Sequence, residues 1–560
     1  MRREPVGGSK AIWPALLIVL AVAAIGGWVR WLIASGEFLW LDELHTSWCV
    51  ADGLGEVYQR ALSGNQTPLY FWMSWLSVEA LGESELSIRL ISLIAGVGTI
   101  VAAAWLVLRW TGCTIAAVAT SILIALDVQF IYYATEARPY ALIQFLGVVQ
   151  VALFWRLIKS CGPNVESKSV QTESESESGK VVALEMAGSG WLGIWLSLIT
   201  ALLFYTHVTS AWLFVGEAFF VCVLLVSGPA LVRRGWKCLV SAAVFTTLLC
   251  IPALLQLSQL AGRRSNWSSV SSVRELLAQQ TMPVGCWLLV PTAAMLIAIF
   301  SRAGGFRSSN EEHAGQNCKL GFVFLWALLP TVGVVLLDWF KIAPMALVRY
   351  TLVGTVAMPI FAGLVIGFVD VRKIRLVLAI ALIAVSLVWS PITSGKFVSS
   401  GFDAGELPGL RWEDWQSPIS EINANQAKRN QPVLLASNLI EDVDAFENSD
   451  AQFQAYLRFP VGGLYRIENQ NSSDIESETL TRKIISIPTL LREHTRASDI
   501  EKIRSSGGAW LVVRATEDLA FEIEDEIVNK MAAQFPDAGP LKTTRFGGPH
   551  SPVYLISFDW

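Results

Sequence analysis

Charge is what this chain has least of. Only 16% of its 560 residues are Asp, Glu, Lys or Arg, while 53% are hydrophobic, and mean hydropathy is +0.48. A soluble domain of this size has no need of so much apolar surface, so that class is excluded. Paired cysteines are lacking as well. The eight cysteines all lie at or before Cys318, mostly in or beside apolar segments, with neither metal-ligand spacing nor a disulfide framework. They read as small buried apolar residues. A convincing cleavage site after the basic N-terminus "MRREPVGGSK" is also missing, which predicts an uncleaved first helix. The net charge of -5 excludes little, because in a membrane protein sidedness matters more than the sum.

What is present is a series of apolar runs of membrane-spanning length. The runs fall near 11–34, 88–110, 113–131, 139–158, 189–206, 208–228, 236–257, 283–301, 320–339, 350–369 and 375–393. A further segment, "PLYFWMSWLSVEAL" (68–81), is short and aromatic, as interfacial helices are. Placing it on the surface, with the N-terminus cytoplasmic, puts Arg109, Arg233, Arg234, Lys237, Arg302, Arg307, Arg372, Lys373 and Arg375 on the cytoplasmic side. Arg263, Arg264 and Arg274 remain outside as exceptions. Residues 160–188, Ser- and Glu-rich, read as a disordered cytoplasmic loop. From about 394 onward the composition turns polar. "PVLLAS" (432–437), "GAWLVVRA" (508–515) and "VYLISFD" (553–559) read as strands, and 517–535 reads as an amphipathic helix. The expected fold is an all-α polytopic membrane domain, residues 1–395, of about eleven transmembrane helices plus juxtamembrane helices, followed by an extracytoplasmic α/β domain, residues 396–560.

This topology gathers polar residues on one face. Asp42 and Glu43 follow the first span in the outer loop 36–87. Glu136 and Arg138 end another span, His207 sits at an outer turn, and Arg349 and Tyr350 open a late span. Each has a bland reading. The acids are then solvated loop residues, Arg138 and Arg349 snorkel to headgroups as Arg30 does between Trp28 and Trp31, His207 and His45 are packing residues, and Tyr70, Trp72 and Trp75 form an interfacial belt. As a constellation they fit group transfer from a lipid phosphate. A carboxylate accepts a proton from a hydroxyl nucleophile, and arginines hold a phosphate leaving group.

The ordered motifs "WLDELHT", "TPLYFWMSWL", "YATEARPYAL", "YTHVT" and "VRYTL" resemble those of the GT-C membrane glycosyltransferases over about residues 10–395. Within that superfamily the chain is closest to the lipopolysaccharide-core galacturonosyltransferase-like, lipid A aminoarabinose transferase and protein O-mannosyltransferase group. The resemblance implies a polyprenyl-phosphate sugar donor, inverting transfer to a lipid, glycan or protein acceptor, and a bacterial inner-membrane location with the C-terminal domain periplasmic. Carried over, Asp42 and Glu43 are the catalytic acids, with Asp42 the leading general base and Glu43 orienting the acceptor or assisting, and the sequence leaves open which of the two is the base. Arg138 and Arg349 contact the donor phosphate, Glu136 orients Arg138, and Tyr70, His207 and Tyr350 line the substrate. Gln66-Thr67-Pro68 stands where aminoarabinose transferases carry Glu-Lys-Pro, so a metal is not indicated and Arg263 and Arg264 are candidates for the missing positive charge. No cofactor or nucleic acid is implied. The competing class is a transporter or flippase for a lipid-linked or anionic substrate, which calls for polar groups near mid-bilayer on discontinuous helices. A third is a membrane anchor for the outer domain, for which about eleven spans are excessive.

Overall fold

The computed structural model describes residues 12–64, 66–160, 175–227, 236–261, 310–342 and 347–389, and in the C-terminal region 413–428, 430–437, 451–468, 484–486, 506–514, 539, 541–547 and 552–559. The expected span at 283–301, the helix at 517–535, and Arg263 and Arg264 lie outside them.

The helical domain opens with α1 (Ile12–Gly36), three short helices α2 (Leu41–Val50), α3 (Leu54–Ser63) and α4 (Leu69–Leu81), and the long α5 (Glu85–Thr111). There follow α6 (Thr114–Leu126), α7 (Val128–Ala134), α8 (Tyr140–Ser160), α9 (Glu175–Thr206), α10 (Ala211–Ser227) and α11 (Trp236–Ala261). The last are α12 (Asn310–Trp339), α13 (Leu352–Thr355), α14 (Ala357–Phe368) and α15 (Arg372–Trp389). Among the described residues six helices are long and apolar enough to cross a membrane, or seven if the bent pair α6–α7 is one span. The chain is a multi-pass membrane protein. Because lipid tails are as apolar as leucine, helix association there depends on close packing. The α5–α6 contact meets that need with small buried residues: Ala103 of α5 shares one cluster with Ala116 and Ala119 of α6, and Ala104 shares another with Ala117. On α14, Gly363 approaches Thr120 so closely that a Cβ would overlap its hydroxyl.

Three expectations change. The run 113–131 is a helix broken by 63° at Asp127, whose carboxylate caps α7 by accepting from the Gln129 and Phe130 amides at 3.0 and 3.2 Å. Arg30 does not snorkel. It is fully buried and donates to Ile124 O (3.0 Å) and Ala125 O (3.3 Å), the carbonyls at the break, as well as to Gly26 O (2.9 Å). An unpaired carbonyl in hydrocarbon costs several kcal/mol, so the break and the buried arginine answer one another. The stretch expected to be a disordered loop, 160–188, holds the start of α9 from Glu175.

The C-terminal region forms a five-stranded sheet of β1 (Val433–Ala436), β2 (Ile484–Ser486), β3 (Gly508–Arg514), β4 (Lys542–Phe546) and β5 (Val553–Asp559), in the order β2-β1-β3-β5-β4. Strands β1, β2 and β3 run parallel, and β5 is antiparallel to β3 and β4. All three expected strands are present. Exposed β4 carries Lys542 and Arg545 on the sheet edge, where charge discourages pairing with another chain. Helices α16 (Gln416–Ala424) and α17 (Ala451–Gly462) accompany the sheet. Trp415, Ile419, Val433, Trp510 and Val512 share one buried cluster with Leu39, Leu41 and Leu44 of the α1–α2 region, so the sheet domain packs directly on α2.

Candidate active site

Four residues separate the end of α1 from the start of α2, which places Asp42 and Glu43 in the first turn of α2. Carboxylates there complement the helix dipole. The two side chains go separate ways. Glu43 is fully buried, and Arg89 of α5 donates Nε to its Oε1 (2.7 Å) and a terminal nitrogen to its Oε2 (2.5 Å). Its Oε1 also accepts the Ala137 amide (2.7 Å), and its Oε2 the Trp40 amide (3.3 Å). Arg89 spends its remaining N–H groups on the carbonyls of Ala34, Glu37 and Phe38 at 2.7–2.9 Å. One ion pair thus ties the end of α1, the start of α2, α5 and the loop 135–139 together.

Asp42 faces the other way, and its side chain is 31% exposed. Its Oδ2 lies 3.3 Å from Arg349 and 4.0 Å from Arg138, and Arg138 also donates to the Asp42 carbonyl at 3.1 Å. Burial pushes the Asp42 carboxyl up. Arg138, Arg349, His45 and Arg514 pull harder the other way and leave it below the ordinary carboxylate value. Arg138 and Arg349 come from segments 211 residues apart and converge on one carboxylate.

The loop that presents Arg138 is held on three sides. Ala137 N binds Glu43, Ala137 O accepts from Thr46 (2.7 Å), and Arg138 O accepts from Ser92 (3.0 Å). Glu136 is buried in the same loop. The Arg138 amide donates to its carbonyl at 2.8 Å, and its carboxylate acts on Arg138 and Arg349 through charge. His207, at the α9–α10 turn, accepts the Thr209 amide on Nδ1 at 3.3 Å, which leaves the proton on Nε2. Burial, with Arg138 and Arg349 adding to it, pushes its pKa down to about 3, so the ring is neutral. His207 joins an aromatic wall, 5.8 Å from the Tyr140 ring and 6.0 Å from Tyr350, while the Arg349 guanidinium sits 5.4 Å from the Tyr350 ring.

Asp42, Glu136, Arg138, His207, Arg349 and Tyr350 are therefore brought together. Tyr70 is not. It is fully buried, and its hydroxyl pairs with Ser92 at 2.8 Å, one step behind the Arg138 carbonyl. His45 packs between Phe71 and Tyr456, with Nε2 3.5 Å from Cys49 Sγ. Burial, reinforced by Arg138, pushes its pKa down to about 3. Sequence reasoning missed Arg89. The available signal was an arginine set among apolar residues in "LSIRLIS" at the mouth of a span, the same signal that marked Arg138 and Arg349. Among the described residues no group of three or more His, Cys, Asp or Glu side chains is placed to hold a metal.

No protein-family profile matches the chain. No curated protein matches it in sequence. Among solved structures it is similar to ArnT from Cupriavidus metallidurans bound to undecaprenyl phosphate, at a TM-score of 0.50 and 12% identity, covering 98% of each chain. ArnT from the same organism in the apo state aligns at a TM-score of 0.49 and 14% identity, over 97% of this chain and 98% of that one. The archaeal oligosaccharyltransferase AglB from Archaeoglobus fulgidus, in complex with an inhibitory peptide and a dolichol-phosphate, aligns at 0.44 and 12% identity, over 92% of this chain and 70% of that one. At such identities the likeness to ArnT is one of fold alone.

Proposed function

We propose that the chain is a membrane glycosyltransferase that moves a sugar from a polyprenyl-phosphate donor to a hydroxyl of a cell-envelope acceptor, on the outer face of a bacterial inner membrane where the C-terminal domain lies. The observation that carries this reading is the meeting of Asp42 with Arg138 and Arg349 at the mouth of the helical bundle. The ArnT crystal structure of the same fold holds undecaprenyl phosphate, which supports the donor class.

In this reading the acceptor oxygen attacks the anomeric carbon as the carbon–oxygen bond to the phosphate breaks, inverting the centre. The bonding pair leaves with the lipid phosphate. Arg138 and Arg349 stabilise that growing charge through charge-assisted hydrogen bonds, and Asp42 takes the acceptor's proton. A donor phosphate competes with Asp42 for the same N–H groups. Its negative charge offsets the arginines that hold the carboxyl down, so the base gains strength as the donor binds. Glu43 takes no part in bond making. Clamped by Arg89, it fixes the turn from which Asp42 projects.

The test is to incubate purified protein with a panel of polyprenyl-phosphate sugars and cell-envelope lipids and follow release of polyprenyl phosphate. Turnover of at least one donor that is lost in Asp42→Asn is expected. No turnover of any donor, with transport of the intact lipid-linked sugar across proteoliposomes instead, would move the protein to the flippase class.

A further inference from the structure

Glu413 belongs to the C-terminal region but completes a helix of the membrane domain. It is 2% exposed. Its Oε1 accepts the amide of Leu41, the first residue of α2, at 2.9 Å, and the Trp415 indole N–H at 2.6 Å. Its Oε2 accepts Arg514 Nε at 2.8 Å. Trp40, the N-cap residue of α2, has no side-chain cap hydrogen bond, and Glu43 reaches back only to the Trp40 amide, so Glu413 supplies the acceptor for the Leu41 amide beside it. The first amides of a helix have no intrahelical partner, and a carboxylate is the strongest acceptor for them. The same ion pair has a second reach, since the charge of Arg514 acts on Asp42.

We propose that Glu413 and Arg514 form a positioning pair, supplied by the C-terminal domain, that caps α2 and sets the place of Asp42. The assignment to Asp42's catalytic work rests on the transferase reading above; the capping does not. The domain is then part of the active site rather than an appendage. It reaches the turn by two routes, since Tyr465 also accepts the Leu39 amide (2.7 Å) and donates to Glu85 (3.1 Å). Of these two routes, only the Glu413–Arg514 pair brings charged side chains from the C-terminal domain.

That difference supplies the signature. The charged and titratable groups around Asp42 are Arg138 and Glu136 of the loop 135–139, Arg349, His45 and Glu43 of α2 itself, and Arg514 with Glu413. Glu413→Gln leaves Arg514 without its counter-charge, so Asp42 is pulled further down. Arg514→Met removes a positive charge, so Asp42 rises. The acid limb of turnover therefore moves to lower pH in the first variant and to higher pH in the second. Tyr465→Phe loosens the same turn without moving that limb.

The experiment uses the full-length protein in nanodiscs. Hydrogen exchange read by mass spectrometry should show the peptide over residues 38–50 exchanging about 10-fold faster or more in Glu413→Gln, as expected for loss of a hydrogen bond to a charged acceptor. Glu413→Asp, which keeps the charge, serves if the glutamine variant does not fold, and should show a smaller increase in the same peptide. Wild-type exchange of residues 38–50 in Glu413→Gln, or in Glu413→Asp where that variant replaces it, overturns the capping. Acid limbs that shift the same way in Glu413→Gln and Arg514→Met overturn the electrostatic role. Absence of turnover in the wild type refutes the transferase reading and leaves the exchange result to decide the capping.

Discussion

Around Glu43 the protein is sealed: the carboxylate has no exposed surface, and its oxygens are taken by Arg89 and by two backbone amides. Around Asp42, the preceding residue on the same helical turn, the carboxylate is 31% exposed and faces Arg138 and Arg349, the second of them 34% exposed itself. Successive residues on a helix point about 100° apart, so one acid of the pair is turned into the protein and the other toward its mouth. The chemistry the two can do follows from that rotation. A carboxylate whose every lone-pair direction is filled by fixed donors is a strut. One that meets two arginine side chains and is partly exposed is available to react.

The sharpest way to break the comparison is to neutralise each acid in turn. Asp42→Asn should abolish most turnover, by about 10²–10⁴-fold, the usual contribution of general-base catalysis, with the melting temperature in detergent little changed. Wild-type turnover in a correctly inserted Asp42→Asn protein would end the catalytic assignment. On the sealed side the loss should appear in stability. Arg89→Met leaves Glu43 buried without its partner, at a cost of about 3–5 kcal/mol, read as a large drop in the thermal unfolding transition and in yield. A variant as stable as the parent would show that the clamp does not hold the fold.

A smaller effect separates charge from geometry at the arginines. Arg349→Lys should keep more donor affinity than Arg349→Ala, because lysine retains the charge but loses the planar fork. Equal affinity in all three proteins would remove Arg349 from the phosphate site.

The pH profile sharpens the comparison further. In the free protein Asp42 is held below its ordinary value of 3.8, so it remains an ionised base down to that depressed value, and kcat/KM, which reports the free protein, falls only as pH drops through it. The same sign applies to stability. The contribution of Asp42 is present above the unfolded pKa and is lost as pH falls through the lower folded pKa, so Asp42→Asn should flatten that part of acid unfolding. His207 and His45, both pushed down to about 3, stay neutral, so kcat/KM should show no inflection from them between about pH 5 and 8, the range in which an ordinary histidine titrates. The smallest effect belongs to Tyr70. Tyr70→Phe removes one buried hydrogen bond to Ser92, worth about 1 kcal/mol of stability, and should leave donor KM unchanged; a raised KM would restore Tyr70 to the substrate surface.

Much of this architecture was legible in the chain. Long apolar runs mark helices because backbone polar groups in lipid must pair internally, and the alternating ends of those helices place "LDEL", "EARP", "THVT" and "VRY" on one side. The strands at 433–436, 508–514 and 553–559 were legible because Val, Ile, Leu and aromatic residues in short runs suit a buried sheet. The break at Asp127 was not. An Asp within an apolar run carries no sign of whether it interrupts the helix, and the arginine that relieves the freed carbonyls stands 97 positions earlier in the sequence. The direction in which Tyr70 points was not legible either. Its segment is apolar on every face, so periodicity gave no direction, and only the packing of α4 against α5 turned that hydroxyl to Ser92.

By itself, then, the sequence determined the membrane class, the sheet domain and the face on which the ionisable groups collect, since each of these follows from composition and period along a short stretch of chain. Which of two adjacent acids is the strut, that Arg89 clamps it, and that a glutamate more than 370 residues away caps the helix bearing the other were decided only in the tertiary structure. A charge is settled by the partners brought within hydrogen-bonding distance of it, and those partners come from segments that sequence proximity does not connect.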